Sequence, residues 1–153
     1  MRIRFWGVRG SIASPGPETA GVGGNTSCVE LACGKTRIVL DAGTGLRGLG
    51  NALCATGAPV EATLLLSHYH WDHIQGLPFF VPVYMRSTSL TVVGAGSGVA
   101  GVRQALEHQM RAPVFPVRLD ETAARITTRE VAPAEVFEVG EAVVRVARGN
   151  HPG

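Results

Sequence analysis

The sequence predicts an α+β domain, a mostly antiparallel or mixed sheet with flanking helices. Three observations carry that expectation. Short apolar or alternating stretches recur along the chain and are bounded by Gly, Pro or Asp, as strands are. Leu46, Leu49 and Leu53 recur at helical spacing, and Val99 to Met110 forms a second helical stretch. The length of 153 residues suits one domain able to bury most of its apolar surface. No internal repeat, low-complexity tract or linker interrupts it.

Taken in order, Arg2 to Val8 alternates as a first strand. Arg9 to Thr26 is a Gly- and Pro-rich loop too long for a simple hairpin, and loops of that size in a compact domain often line a site. Within it Ser11, Asn25 and Thr26 are candidates for hydrogen bonds to a substrate phosphate, with shaping of the turn as the alternative. Cys28 to Cys33 and Arg37 to Asp41 read as two strands joined through Gly34-Lys35. Leu46 to Thr56 is the first helix, and Ala62 to Leu66 a short buried strand. In Leu77 to Met85, Pro78 and Pro82 rule out an ordinary helix or central strand. That segment reads as an apolar wall beside a cleft, or else as core filling. Ser89 to Val93 is a further strand, followed by the Val99 to Met110 helix, which carries His108 on its surface or in its packing. Pro113 and Pro116 mark an irregular crossing. Ala124 to Val131 alternates as a strand, and Glu135 to Val139 with Ala142 to Ala147 form a pair around Gly140, ending near Asn150 and His151.

Composition narrows the function classes. A formal charge of +2 is too small to argue for nucleic acid or an anionic membrane. No apolar run reaches the roughly 18–20 residues that span a bilayer, and the first residues lack the apolar core of a signal peptide. Cys28, Cys33 and Cys54 are odd in number and show no paired metal-binding spacing. A reduced, cytoplasmic protein with buried structural thiols is the expectation.

The chemistry concentrates in Ser67-His68-Tyr69-His70-Trp71-Asp72-His73-Ile74-Gln75-Gly76. On an extended strand end, positions two apart point the same way, so His68 and His70 converge on one ion. If the chain then turns helical, Asp72 and His73 swing round to face a second position. Imidazole nitrogen binds zinc at about 2.0–2.1 Å and carboxylate oxygen at about 2.0–2.2 Å, so both residue types suit one borderline cation. Asp41 ends a buried strand and needs partners. It reads as the hydrogen-bond partner of a ligand histidine, fixing that ring's tautomer, with a helix cap as the alternative.

A competing motif is Gly96-Ser97-Gly98-Val99-Ala100-Gly101. It matches G-x-G-x-x-G after a strand and before a helix, with Asp120 and Glu121 about 20 residues on. Such patterns are common in a chain with 20 Gly. The acidic pair also follows Pro116-Val117-Arg118-Leu119, too brief and Pro-broken for a partner strand. A tight strand-to-helix connection is the stronger reading, and nucleotide binding the lesser one.

His68-x-His70-x-Asp72-His73 after an apolar strand resembles the signature of the metallo-β-lactamase-fold metallohydrolases. Phe5-Trp6-Gly7-Val8-Arg9-Gly10-Ser11, Gly24-Asn25-Thr26-Ser27-Cys28 and Leu40-Asp41-Ala42-Gly43-Thr44-Gly45 resemble the branch of ribonuclease Z-like and cyclic-nucleotide phosphodiesterase-like enzymes. Asn150-His151-Pro152-Gly153 is similar to the segment that carries the family's next ligand histidine. The resemblance implies an αββα sandwich of which residues 1–153 form the N-terminal portion of a single domain. It places the Arg9 to Thr26 loop at the active-site mouth and Asp41 behind a ligand. It implies His68, His70 and His151 around one Zn2+ and Asp72 with His73 at a second, with Mn2+ or Fe2+ as alternatives.

The reaction so implied is hydrolysis of a phosphodiester, nucleotide or small molecule, by a metal-bound hydroxide, since a divalent ion lowers the pKa of its bound water to about 7. Asp72 would also orient that hydroxide. The family's bridging Asp and final His find no match here, so activity of this chain alone is expected to be low or nil. A homo-oligomer or a partner chain is expected to cover the sheet face left open. A non-catalytic metal-binding or interaction module is the alternative class.

Overall fold

The computed structural model describes residues 1–96 and 101–151. Its centre is a six-stranded mixed sheet: β1 (Arg2–Gly7), β2 (Cys28–Cys33), β3 (Thr36–Leu40), β4 (Val60–Leu65), β5 (Thr88–Ala95) and β6 (Arg125–Val131), in that spatial order. The first three strands pair antiparallel, and β3 through β6 pair parallel. The change follows from the connections. Gly34 takes the left-handed φ of 55° that closes the tight β2–β3 turn, whereas parallel neighbours need long crossovers. Helix α1 (Gly45–Cys54) joins β3 to β4, α2 (Trp71–Ile74) lies between β4 and β5, and α3 (Val102–Gln109) between β5 and β6. A separate antiparallel hairpin, β7 (Val136–Val139) with β8 (Ala142–Arg145), turns at Gly140.

The helices cover one face of the sheet. Val39, Leu64 and Val92 form a rung across β3, β4 and β5 and are buried against Leu46 and Leu49 of α1 and Leu106 of α3. Each such side chain contributes about 1.5–3 kcal/mol by leaving water. On the other face the β7–β8 hairpin covers only part of the sheet, where Phe137 packs with Val93 and Val131. Ile3 and Phe5 of β1 and Leu40 of β3 stay exposed.

Several expectations are corrected in detail. The first helix starts at Gly45 and ends at Cys54 rather than Thr56. Among the described residues the third starts at Val102; Val99 lies outside them. The Leu77 to Met85 segment forms two short 3-10 turns, Leu77–Phe79 and Val81–Tyr84, each with Pro near its start. Leu77, Phe80 and Val83 are buried in the core beside α1, while Phe79, Val81 and Tyr84 stay exposed, so the segment fills the core with one side and presents an apolar surface with the other. Asp120 and Glu121 lie on another 3-10 turn, Leu119–Glu121, with Asp120 bound to Arg118. It is Glu130 of β6 that brings a carboxylate against Gly96 and Gly101, while Gly98 lies outside the described residues. Negative charge at the start of α3 opposes a pyrophosphate there. His108 is exposed on α3.

Candidate metal centre

Parallel pairing puts the C-terminal ends of β3 and β4 side by side, with Leu40 opposite Leu65. The segments that leave them therefore meet. Asp41 turns out of β3 with a left-handed φ of 60°, which Asp tolerates better than most residues. Its backbone N–H stays tied to Leu65 O at 2.9 Å. The chain beyond β4 runs through Ser67 to His70, then coils into α2. That helix docks against the Ala42–Gly43 corner by backbone alone. Gly76 N–H donates to Ala42 O, and a Cβ at Gly76 would lie 1.9 Å from Gly43 O, so only Gly fits.

The Asp41 carboxylate, 7% exposed, is a hub. Oδ1 accepts from Ser67 N–H at 2.8 Å and Ser67 O–H at 2.9 Å. Oδ2 accepts from Ser27 O–H at 3.1 Å and from His73 Nδ1 at 2.8 Å. Among the described residues no bond goes from Asp41 to the start of α1, whose cap is Thr44. Tautomers follow from these partners. Ser67 gives its one hydroxyl proton to Asp41, so the 3.0 Å contact between Ser67 Oγ and His68 Nδ1 requires His68 Nδ1 to be the donor. The lone pair of His68 is thereby placed on Nε2. His73 likewise donates from Nδ1, turning Nε2 toward Asp72 Oδ2 at 3.3 Å.

Around His68 the other rings gather. Its centroid is 4.5 Å from His70, 4.2 Å from His73 and 4.6 Å from His151, while His70 and His151 are 5.0 Å apart. One nitrogen from each of His68, His70 and His151 lies within 4.8 Å of the others. Zinc held at about 2.0–2.1 Å by three tetrahedral ligands needs nitrogens roughly 3.4 Å apart, so modest ring rotations close the set. His68 Nε2 is buried without a hydrogen-bond partner among the described residues. A buried acceptor left open in this way is what a metal ligand looks like before its ion arrives. Burial, then the neighbouring His73, His70 and His151, pushes the His68 pKa below its ordinary 6.5, keeping the ring neutral as a ligand must be. The donor set fits the ion that the sequence implies.

Asp72 is nearly buried on α2. Burial pushes its carboxyl up, but the Ser11 N–H, His73, its own backbone N–H and His68 together hold it below 3.8. The Ser11 N–H to Asp72 Oδ2 bond is 2.8 Å, and Ser11 adopts a left-handed φ of 68°. Asp72 Oδ2 and His73 Nε2 thus face one another as two donors to a second cation position, with no third ligand grouped beside them among the described residues.

The other sequence candidates are placed as follows. Ser11 reaches the site through its backbone. Thr26 is fully buried, and its hydroxyl accepts from Thr44 N–H at 2.8 Å, in keeping with the turn-shaping alternative. Asn25 is exposed, with its backbone carbonyl accepting from Val8 and Arg9 and its Oδ1 from the Thr44 hydroxyl. Ser27 and Ser67 had no assigned role. The signal for them was slight: a hydroxyl residue at each strand end beside an Asp that needs donors. Tyr69 points away from its His neighbours, bonds Ala95 O and is pushed up to about 12 by burial and Glu130, pinning the loop to the end of β5.

Comparison with known proteins bears on the fold. The metallo-β-lactamase-fold protein YhfI from Bacillus subtilis is similar at 17% identity and a TM-score of 0.59, over 90% of this chain and 48% of that one. A diphosphatase from the PhnP family is similar at 15% identity and a TM-score of 0.51, over 74% of this chain and 40% of that one. The short form of human tRNase Z is similar at 17% identity and a TM-score of 0.52, over 84% and 44%. At such identities the likeness is one of fold, and the chain spans about half the length of these structures or less. No curated protein matches. A family profile described as a beta-lactamase superfamily domain matches residues 36–153, the greater part of the sequence, and the chain belongs to that superfamily with the metallo-β-lactamase fold.

Proposed function

We propose that this chain is a metal-dependent hydrolase whose substrates are phosphodiesters. The observation that carries the reading is the open lone pair of His68, aimed by Ser67 and Asp41 into a cluster of imidazoles. His68, His70 and His151 would hold one ion, with zinc suited to that nitrogen set and Mn2+ or Fe2+ as alternatives. Asp72 and His73 would begin a second site. An ion bound there supplies Lewis acidity and water activation at neutral pH. The protein's own part is to hold the ligand rings neutral and oriented, and to present the Asp72 carboxylate to an attacking water. Asp72 is suited to that task because its carboxyl is held ionised. The superfamily supports a metal-dependent hydrolase in general, and the phosphodiester class draws its support from two structures of similar fold, described as a diphosphatase and a tRNase Z. With the chain spanning under half of those proteins, the activity belongs to the proposal.

A second reading is favoured by one observation: only Asp72 and His73 face the second position among the described residues. On that reading the chain is a metal-binding or interaction module without turnover. Hydrolysis of bis(p-nitrophenyl) phosphate with added zinc or manganese, wild type against His70→Ala, separates the two. Turnover that needs both metal and His70 supports the hydrolase; tight metal binding without turnover supports the module. Self-association, or docking of a partner chain, is proposed for the sheet face bearing Ile3, Phe5 and Leu40, with Phe5 67% exposed. Light scattering that finds only monomers would remove the self-association. Among the described residues no helix is long and apolar enough to cross a membrane. The free Cys28, Cys33 and Cys54 support a reduced, cytoplasmic setting as part of the same proposal.

A further inference from the structure

Helix α2 carries Asp72 and His73 yet is only four residues long, too short to hold its own position. Its place is fixed from outside. Ser11 N–H holds the Asp72 carboxylate, and Ala42 N–H donates to His73 O at 2.7 Å. Both contacts act on one flank, from the loops before α1. From the elements that follow α2 in sequence there is, among the described residues, one polar tie. Gln109 Nε2, at the last residue of α3, donates to Ile74 O at 3.0 Å.

Gln109 is 4% exposed, unusual for an amide side chain. Packing does not call for it, because Val102 and Leu106 of α3, with Met110 just beyond its end, already form a buried apolar stripe. Its own Oε1 has no hydrogen-bond partner among the described residues, a burial cost that an apolar residue of equal size would avoid. What the amide does provide is a donor for the last carbonyl of α2, which a helix this short cannot satisfy internally.

The geometry points to Gln109 as a positioning residue that sets the orientation of α2, and through it of Asp72 and His73. Its effect on metal affinity rests on the metal-binding reading above; its effect on α2 does not. Gln109→Met keeps the volume and removes the donor. Trp71 is the first residue of α2 and 54% exposed, while the only other Trp, Trp6, lies on β1. The two indole N–H resonances therefore report α2 and a control on a different element in one spectrum, assigned with Trp71→Phe. In metal-free Gln109→Met the Trp71 resonance should move and that of Trp6 stay. Cobalt affinity should fall about tenfold, the lower end of the effect of groups that orient ligands. Val102→Ala, on the same helix, should lower stability and leave both readouts in place. A Trp71 resonance that stays put in Gln109→Met, or moves as far in Val102→Ala, overturns the inference. If wild type binds no cobalt, the metal reading falls while the indole comparison still decides the role of Gln109.

Discussion

His73 and His68 sit 4.2 Å apart, centroid to centroid, yet they are held in opposite ways. His73 belongs to a closed network in which Asp41 receives four hydrogen bonds, two on each oxygen. His68 belongs to an open one: its Nδ1 is engaged, its Nε2 has no partner among the described residues, and its exposed neighbours His70 and His151 complete a three-nitrogen set. The closed half contributes to the stability of the protein as it stands. The open half contributes little until a cation arrives. At the first cation position, stability and ligand binding are thus divided between adjacent rings.

The strongest way to break this division is Asp41→Ala. Removing the carboxylate strands several donors, and each one left buried and unpaired costs about 1–3 kcal/mol, so the urea midpoint of the metal-free protein should fall sharply. A loss under 1 kcal/mol would show that the hub is not structural. Ser67→Ala comes next, because it touches both halves. It should cost about 1.5–3 kcal/mol as a lost bond to a charged group and weaken metal binding about 10–100-fold by freeing the His68 tautomer; calorimetric metal titration reads the second effect.

The pH profile should sharpen the comparison further. Both His68 and Asp72 have folded pKa values below their ordinary ones, so the unfolded chain takes up each proton first. Stability of the metal-free protein should fall in two steps on acidification, the first beginning near the ordinary His value of 6.5 and the second near the ordinary Asp value of 3.8. A profile flat down to pH 4 would remove the first step and with it the account of the open half. The smallest expected change is His70→Ala. It should shift stability by no more than about 0.5 kcal/mol while abolishing tight metal binding, seen as the metal content of protein dialysed after zinc loading.

How much of this could be read beforehand depends on where the information lies. The spacing of His68, His70, Asp72 and His73 is legible because extended and helical periods alone decide which way each residue faces. The strands were legible for the same reason. Asp41 was legible as needing partners, but which partners follows from β3 lying beside β4 in parallel, and pairing order has no local signature. For Thr26 the sequence leaves substrate contact and turn shaping open, and only the fold, which presses that loop onto the start of α1, shows the turn-shaping bonds. Gln109 was invisible. Its partner is the carbonyl of Ile74, thirty-five positions away, and a carbonyl looks the same in every residue.

The approach of His151 to His68 and His70 has one more consequence. An ion shared by these rings would act as a removable clasp, closing a loop of roughly eighty residues between the end of β4 and the segment after β8, and loops of that size are entropically expensive to close. Chelation would then do more than empty a site: it would release the segment after β8, and protease cutting around Arg148 should track the ion even with no substrate present.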